Sequence, residues 1–224
     1  QNNDDAAYAA GAAIGALVGA AIKIQMLKEQ VELEATQYIL KNQPNYNQFE
    51  LKTLDFDGKK LKDMSSTSVI TFKMQEFDLV EAKKSNKTIM GSRMVLFAFT
   101  SFGWINEYGV DVNKIQWHLV SEDEWLNMMT AYVQVASKET DETKIKSILM
   151  EGTVVNKGVN AKKSKDNIDF YKLKGDMYLV TDYSDEFKFV YNEKSFGMYL
   201  KKTSDLVQIG RNDLIKIHKF IFED

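Results

Sequence analysis

The sequence predicts an α+β fold: a long N-terminal helix rich in alanine and glycine, then a mainly antiparallel β-sheet with two further helices. Three observations support this class. Apolar residues recur at helical spacing in the first 41 residues, apolar and polar residues alternate in most segments after Phe49, and Ser121 with Glu124 forms a helix-capping box. We therefore expect a long helix over residues 1–41 and an α+β body over 42–224, which is either one unit or two lobes divided near residue 152.

Composition supports a folded protein and argues against several functions. The 224 residues are 44% hydrophobic and 27% charged, which is enough apolar material for a sizeable core. The formal net charge is −3, and Arg93 and Arg211 are the only arginines, so a nucleic-acid partner is not expected. The chain has no cysteine, which excludes disulfides, thiolate chemistry and cysteine-bound metals. No cofactor is expected.

The first unusual segment is the charge-free stretch from Ala6 to Ile22, AAYAAGAAIGALVGAAI. Gly11, Gly15 and Gly19 are four residues apart and so fall on one face of a helix, where they allow another backbone to approach closely. We expect this stretch to bind a partner through Gly11, Gly15, Leu17, Val18 and Gly19. The alternative is a core or interfacial helix in which the small residues merely permit close crossing.

The helical pattern continues without a break to about Lys41, and its apolar residues are Ile24, Leu27, Val31, Ala35, Tyr38 and Ile39. A continuous helix from Ala6 would be about 50 Å long at about 1.5 Å per residue, longer than one domain needs. Its N-terminal half is therefore expected to project. The only proline, Pro44, then closes the helix.

The remainder predicts strands in two groups, separated by two helices. The first group, residues 49–117, includes turns such as DGKKLKD, and the helices follow over SEDEWLNMMTAYVQVA and TDETKIKSILME. The second group begins at Gly152. The last segment, LIKIHKFIF, fits either a helix or a strand.

Candidate catalytic groups are few. His118 and His218 have no partner at a metal-binding or catalytic spacing, so structural roles are favoured. Asp182, Asp185 and Glu186 offer carboxylates for acid–base chemistry, but acidic residues at a turn are usually solvated. No metal site and no enzyme activity is expected.

Two further features bear on location and partners. The sequence starts at Gln1 without a methionine, which favours an exported chain that has lost a signal peptide. No apolar run reaches the length of about 20 residues that a membrane-spanning helix needs. Aromatic residues crowd the segment SFGWINEYG, where Trp104 is a candidate interface anchor.

The Gln1 start, the alanine- and glycine-rich helix, and the segments TLDFDGKKLKDM, FTSFGWINEYG and GDMYLVTDYSDEFKFVY together resemble exported proteins of Gram-negative bacteria. The chain as a whole is similar to the plug subunits of the type nine protein-secretion translocon. That resemblance implies a periplasmic protein, peripheral to the outer membrane, that closes the periplasmic opening of a larger outer-membrane complex.

The leading hypothesis is therefore a non-catalytic accessory subunit that docks on a larger outer-membrane or periplasmic complex. The alternative is a periplasmic small-ligand-binding protein or hydrolase with a pocket in the α+β body.

Overall fold

The computed structural model describes residues 2–46, 48–60, 66–79, 87–100, 105–106, 109–161, 166–171, 173, 178–192 and 195–223. The helices in these ranges are α1 (Asn2–Asn42), α2 (Glu122–Ala136), α3 (Glu142–Glu151) and α4 (Arg211–Phe222), with a short 3-10 helix at Val112–Lys114. The strands are β1 (Phe49–Lys60), β2 (Ser66–Leu79), β3 (Lys87–Thr100), β4 (Ile105–Asn106), β5 (Gly109–Val110), β6 (Gln116–Ser121), β7 (Gly152–Val155), β8 (Gly158–Ala161), β9 (Asn167–Asp169), β10 (Leu179–Val180), β11 (Phe187–Tyr191), β12 (Phe196–Leu200) and β13 (Asp205–Ile209). The predicted α+β class is confirmed.

Most strands join one large sheet. In the described part of the chain this sheet has eight strands in the order β10-β11-β12-β13-β1-β2-β3-β6, and every neighbouring pair is antiparallel. The contact between β13 and β1 joins strands from both sides of Gly152. β7, β8 and β9 form a separate three-stranded sheet, and β4 pairs with β5.

The large sheet is strongly curled. Phe97 on β3 and Phe187 on β11 are five strands apart in the sheet, yet their ring centroids are 5.2 Å apart. In a flat sheet with about 4.8 Å between strands, that separation would be about 24 Å. The two ends of the sheet therefore approach each other across its concave face.

The two faces of the sheet pack against different helices. The concave face holds the larger core, which includes residues of α2, α3, α4 and the three-stranded sheet. At its centre the Trp125 ring of α2 stacks on Phe97 at 6.0 Å and meets the edge of Phe189 at 5.2 Å. The convex face holds a second core, in which α1 covers β2 and β3.

Local sequence signals explain several helix ends. The predicted capping box is present: the Glu124 amide donates to Ser121 Oγ at 3.1 Å, and the Ser121 amide donates to Glu124 Oε2 at 2.8 Å. Asp141 caps α3 by accepting from the Lys144 amide. The α1 helix ends at Asn42, two residues before Pro44.

Two segments differ from the simplest sequence interpretation. The predicted turn at DGKKLKD is wrong at its start, because β1 continues to Lys60: its pairing with β2 extends to Lys59, and Lys59 and Lys60 pair with β13. The ambiguous last segment is the helix α4. Its buried residues Leu214, Ile217, His218 and Ile221 have the spacing of one helical face.

The turn between β7 and β8 depends on Gly158. Its φ is +148°, and an added Cβ would lie 2.1 Å from the Ile168 carbonyl oxygen. We expect Gly158→Ala to lower the free energy of unfolding by at least about 2 kcal/mol, because it adds both backbone strain and a clash with backbone. Urea unfolding followed by circular dichroism measures the change.

Gly91→Ala is the matched control. Gly91 also has a positive φ, +67°, but an added Cβ would meet no heavy atom within 4 Å. Only the backbone penalty of about 1 kcal/mol should remain there. Equal losses in the two variants would contradict the assigned clash with Ile168.

Candidate functional site

One face of α1 anchors the helix to the body. Leu27, Val31, Ala35 and Ile39 are fully buried against apolar residues of β2 and β3. Tyr38 stacks on Trp117 of β6, with ring centroids 5.4 Å apart. Lys28 forms an ion pair with Asp55 on β1. The spacing of these apolar residues was visible in the sequence, and the structure confirms that they form a buried stripe.

The described residues of α1 just before Leu27 are exposed. Ile24 lies on the same helical face as Leu27 and Val31, yet it is 39% exposed, and residues 20–26 are all exposed. The 25 helical residues that precede Leu27 span about 38 Å at about 1.5 Å per residue. The surroundings of the side chains before residue 19 lie outside the described features, so projection of the N-terminal half stays a prediction.

A second apolar stripe runs along the side of α1 that faces away from the sheet. Its members Ile22, Met26, Leu33 and Leu40 are 46% to 59% exposed. Met26, Leu33 and Leu40 are seven residues apart and Ile22 precedes Met26 by four, so all four lie on one line of the helix. We call these four residues the outer seam. Spacing of this kind is typical of helices that pack against another helix.

The predicted glycine face is continuous with the outer seam. Gly19 precedes Ile22 by three residues and Gly15 precedes it by seven, so helical geometry places both glycines in line with the seam. An added Cβ on Gly19 would meet no heavy atom within 4 Å. The glycines therefore extend an apolar line that points away from the convex face.

The other predicted partner-binding residues are only partly described. Gly11, Leu17 and Val18 lie within α1, but the surroundings of their side chains fall outside the described features. Trp104 lies outside the described residues. Met26, Leu33 and Leu40 are not among the residues predicted from the sequence to bind a partner, although their seven-residue spacing was a usable signal.

His118 is a buried group that links the two ends of the large sheet. It lies on β6, and its Nδ1 is 3.0 Å from Oε2 of Glu186, next to β11. Lys202 Nζ lies 2.9 Å from the same carboxylate oxygen. Burial lowers the pKa of His118, while the Glu186 carboxylate opposes that shift. The pair joins β6 to the far end of the curled sheet, which is a structural role of the kind the sequence favoured.

His218 is also structural. The Trp125 indole Nε1–H donates to His218 Nδ1 at 3.2 Å, and His218 Nε2–H donates to the Leu149 carbonyl oxygen at 2.8 Å. Because an indole can only donate, this geometry fixes the neutral tautomer. Burial lowers the pKa of His218 to about 4. The ring therefore joins α2, α3 and α4 as a neutral hydrogen-bonding group.

Asp182 and Glu186 of the TDYSDEF segment bind different partners and do not form a carboxylate pair. Asp182 forms an ion pair with Lys201, whose hydrogen bond lowers the Asp182 pKa. Glu186 instead binds His118 and Lys202. The described residues contain no group of three or more histidine, aspartate or glutamate side chains arranged to hold a metal ion.

Among the described helices, none combines the length and apolar character that crossing a membrane requires. Comparisons with known proteins find no matching family model, no similar curated protein and no similar solved structure.

The neutral His218 predicts a pH dependence of stability. Its folded pKa of about 4 is below the ordinary 6.5, so the unfolded chain binds the additional proton between these values. The free energy of unfolding should therefore fall as pH decreases from 6.5 to 4, by about 3 kcal/mol from this group. Urea unfolding at a series of pH values measures the slope.

His218→Gln provides the comparison, because glutamine can accept from Trp125 and donate to Leu149 without titrating. The free energy of unfolding of this variant should depend less steeply on pH between 4 and 6.5. The difference in slope corresponds to at most about one proton bound on unfolding. The assignment would be wrong if the wild type and His218→Gln had the same slope.

Proposed function

We propose that the protein is a non-catalytic accessory subunit that docks on a larger protein complex through α1, with the α+β body as its anchor. The observation that carries this proposal is the outer seam, an apolar line on a helix whose opposite face is already buried. Large exposed apolar side chains in one line are typical of surfaces that bind another protein.

The seam and the glycines would serve different parts of one contact. Ile22, Met26, Leu33 and Leu40 supply apolar area beside the body. Gly11, Gly15 and Gly19 lie nearer the N-terminus of α1. Because glycine has no side chain, a partner helix or the wall of a narrow opening could pack closely against the backbone there. A helix that is anchored at one end and slender at the other suits insertion into a protein-lined opening.

The more specific proposal concerns the partner. The resemblance of the chain to type nine translocon plug subunits implies that the partner is the outer-membrane translocon and that the protein works in the periplasm. In this proposal α1 enters or covers the periplasmic opening, and the body is too wide to follow it. The absence of a catalytic role is part of the same proposal.

The seam is tested by Leu33→Glu and Gly15→Leu in the full chain. Either change should weaken binding at least tenfold, which corresponds to about 1.4 kcal/mol, because one buries a charge and the other fills the glycine face. The loss is measured by crosslinking in native envelopes. The amount of partner recovered with each variant is compared with the amount recovered with the wild type.

Ile89→Glu is the matched control, since Ile89 is an exposed apolar residue on β3 and does not belong to α1. It should leave partner recovery unchanged. Normal recovery with both Leu33→Glu and Gly15→Leu would contradict docking through this face of α1.

The identity of the partner is tested by purifying the tagged chain from native envelopes in mild detergent. We expect a large outer-membrane protein to co-purify with the full chain and to be lost when residues 6–24 are deleted. Circular dichroism of the deleted variant should show a folded body, because Leu27, Val31, Ala35 and Ile39 remain. Recovery of the same membrane partner by the deleted variant would overturn the role of the projecting half.

A further inference from the structure

The outer seam contains a negative charge near its middle. Glu29 follows Met26 by three residues, precedes Leu33 by four and follows Ile22 by seven, so it lies on the line of the seam. Its side chain is exposed, as are those of Met26 and Leu33. These residues and Leu40 fall on the two core positions of a heptad repeat, and Glu29 is the charged member of that repeat.

The rest of the chain leaves this charge without a counterion. The side-chain amide of Gln25 donates to Glu29 Oε1 at 2.7 Å, but an uncharged amide does not cancel the charge of a carboxylate. Within the described part of the chain, Glu29 forms no ion pair. Lys28, its neighbour in sequence, is bound to Asp55 on β1. The carboxylate is therefore available to a group on another molecule.

A helix that packs on the outer seam would enclose the Glu29 carboxylate. The core positions of a helix pair are largely removed from water, and an unpaired charge at such a position is costly. A cation on the second helix that reaches the carboxylate offsets this cost. Lysine and arginine carry that charge at physiological pH. We therefore expect the partner helix to present one of them opposite Glu29.

A second copy of this chain does not supply the cation. In a parallel pair of α1 helices, Glu29 faces the Glu29 of the other copy, and the two like charges repel. In an antiparallel pair, in which the first residue of one seam meets the last residue of the other, Glu29 lies opposite Leu33. The lysines beside the seam, Lys23 and Lys41, are in both arrangements at least about 9 Å along the axis from the Glu29 of the other copy. The seam thus disfavours self-pairing and favours a different chain.

We propose that the part of the partner that covers the outer seam is an α-helix with its own apolar heptad stripe, interrupted by one lysine or arginine that pairs with Glu29. This proposal rests on the docking through α1 proposed above and specifies what docks. The same carboxylate keeps the chain from pairing with itself through the seam. The apolar members of the seam supply contact area, and Glu29 determines which helix fits.

The first test compares the self-association of full-length chains by analytical ultracentrifugation and does not require the partner. The wild type should sediment as a monomer. Glu29→Leu should associate with itself at least about tenfold more tightly, because the apolar line becomes continuous. Glu32→Leu is the matched control, since it adds the same side chain at an exposed position beside the seam, and it should remain monomeric.

Two results of this comparison would overturn the proposal. One is a wild-type dimer that Leu33→Glu abolishes, because the seam would then accept a second copy despite Glu29. The other is a Glu29→Leu chain that is as monomeric as the wild type, because the carboxylate would then not be what prevents self-pairing.

The charge pairing is tested by mixing the wild type with full-length Glu29→Lys in equal amounts. Each chain alone should be monomeric, and the mixture should form a heterodimer that weakens as salt is added. A mixture of the wild type with Glu29→Gln, which provides no cation, is the control and should stay monomeric. A mixture with Glu29→Lys that sediments as two monomers would contradict the pairing.

The native partner is tested by crosslinking in envelopes. Glu29→Lys should lower partner recovery at least about tenfold, because it places two cations against each other, and Glu29→Gln should lower it less. If Leu33→Glu lowers recovery and Glu29→Lys does not, docking through the seam stands and the cationic helix is rejected. If neither variant lowers recovery, docking through the seam is rejected as well.

Discussion

The curling of the large sheet is the constraint on which the rest of the fold depends. Phe97 and Phe187 come from strands near opposite ends of the sheet and meet edge to face at 5.2 Å. Trp125 inserts between these strands and contacts both Phe97 and Phe189. Burying such large aromatic side chains together is worth several kcal/mol in total, at about 1.5–3 kcal/mol for one fully buried large side chain. Without this packing, His118 would not reach Glu186.

Curling also decides which side of the sheet is available to a helix. The concave face surrounds the aromatic core and is covered by α2, α3 and α4. The convex face accepts one helix, α1, through the smaller apolar set of β2 and β3. In the described chain, the fully buried contacts of α1 come from the stretch between Leu27 and Ile39, and residues 20–26 are exposed.

The sequence predicted those parts of the fold that depend on neighbouring residues. The capping box at Ser121, the buried stripe of α1 and the alternation in β2 and β3 are local patterns, and each is present. The pairing of β1 with β13 and the contact of His118 with Glu186 could not be predicted, because partners far apart in the chain leave no signal in one sequence. The helix α4 was ambiguous because its apolar residues also alternate.

The same distinction between local patterns and long-range contacts applies to the candidate sites. The glycine face of α1 follows from four-residue spacing, and the outer seam follows from seven-residue spacing once the buried face is known. The polar cavity lined by Lys52, Lys73 and Arg93 depends on a shift in pairing at Gln75 and on the position of the end of α4, and no local sequence pattern shows either of these. Sequence reasoning therefore found the helix surface and missed the charged cavity.

Alternation along β2 places two different sets of side chains on one strand. Phe72 and Met74 face α1, whereas Lys73 and Gln75 lie on the opposite face, where they line a polar cavity. A slip of one residue in the pairing of this 14-residue strand would therefore move its whole apolar set from one face of the sheet to the other.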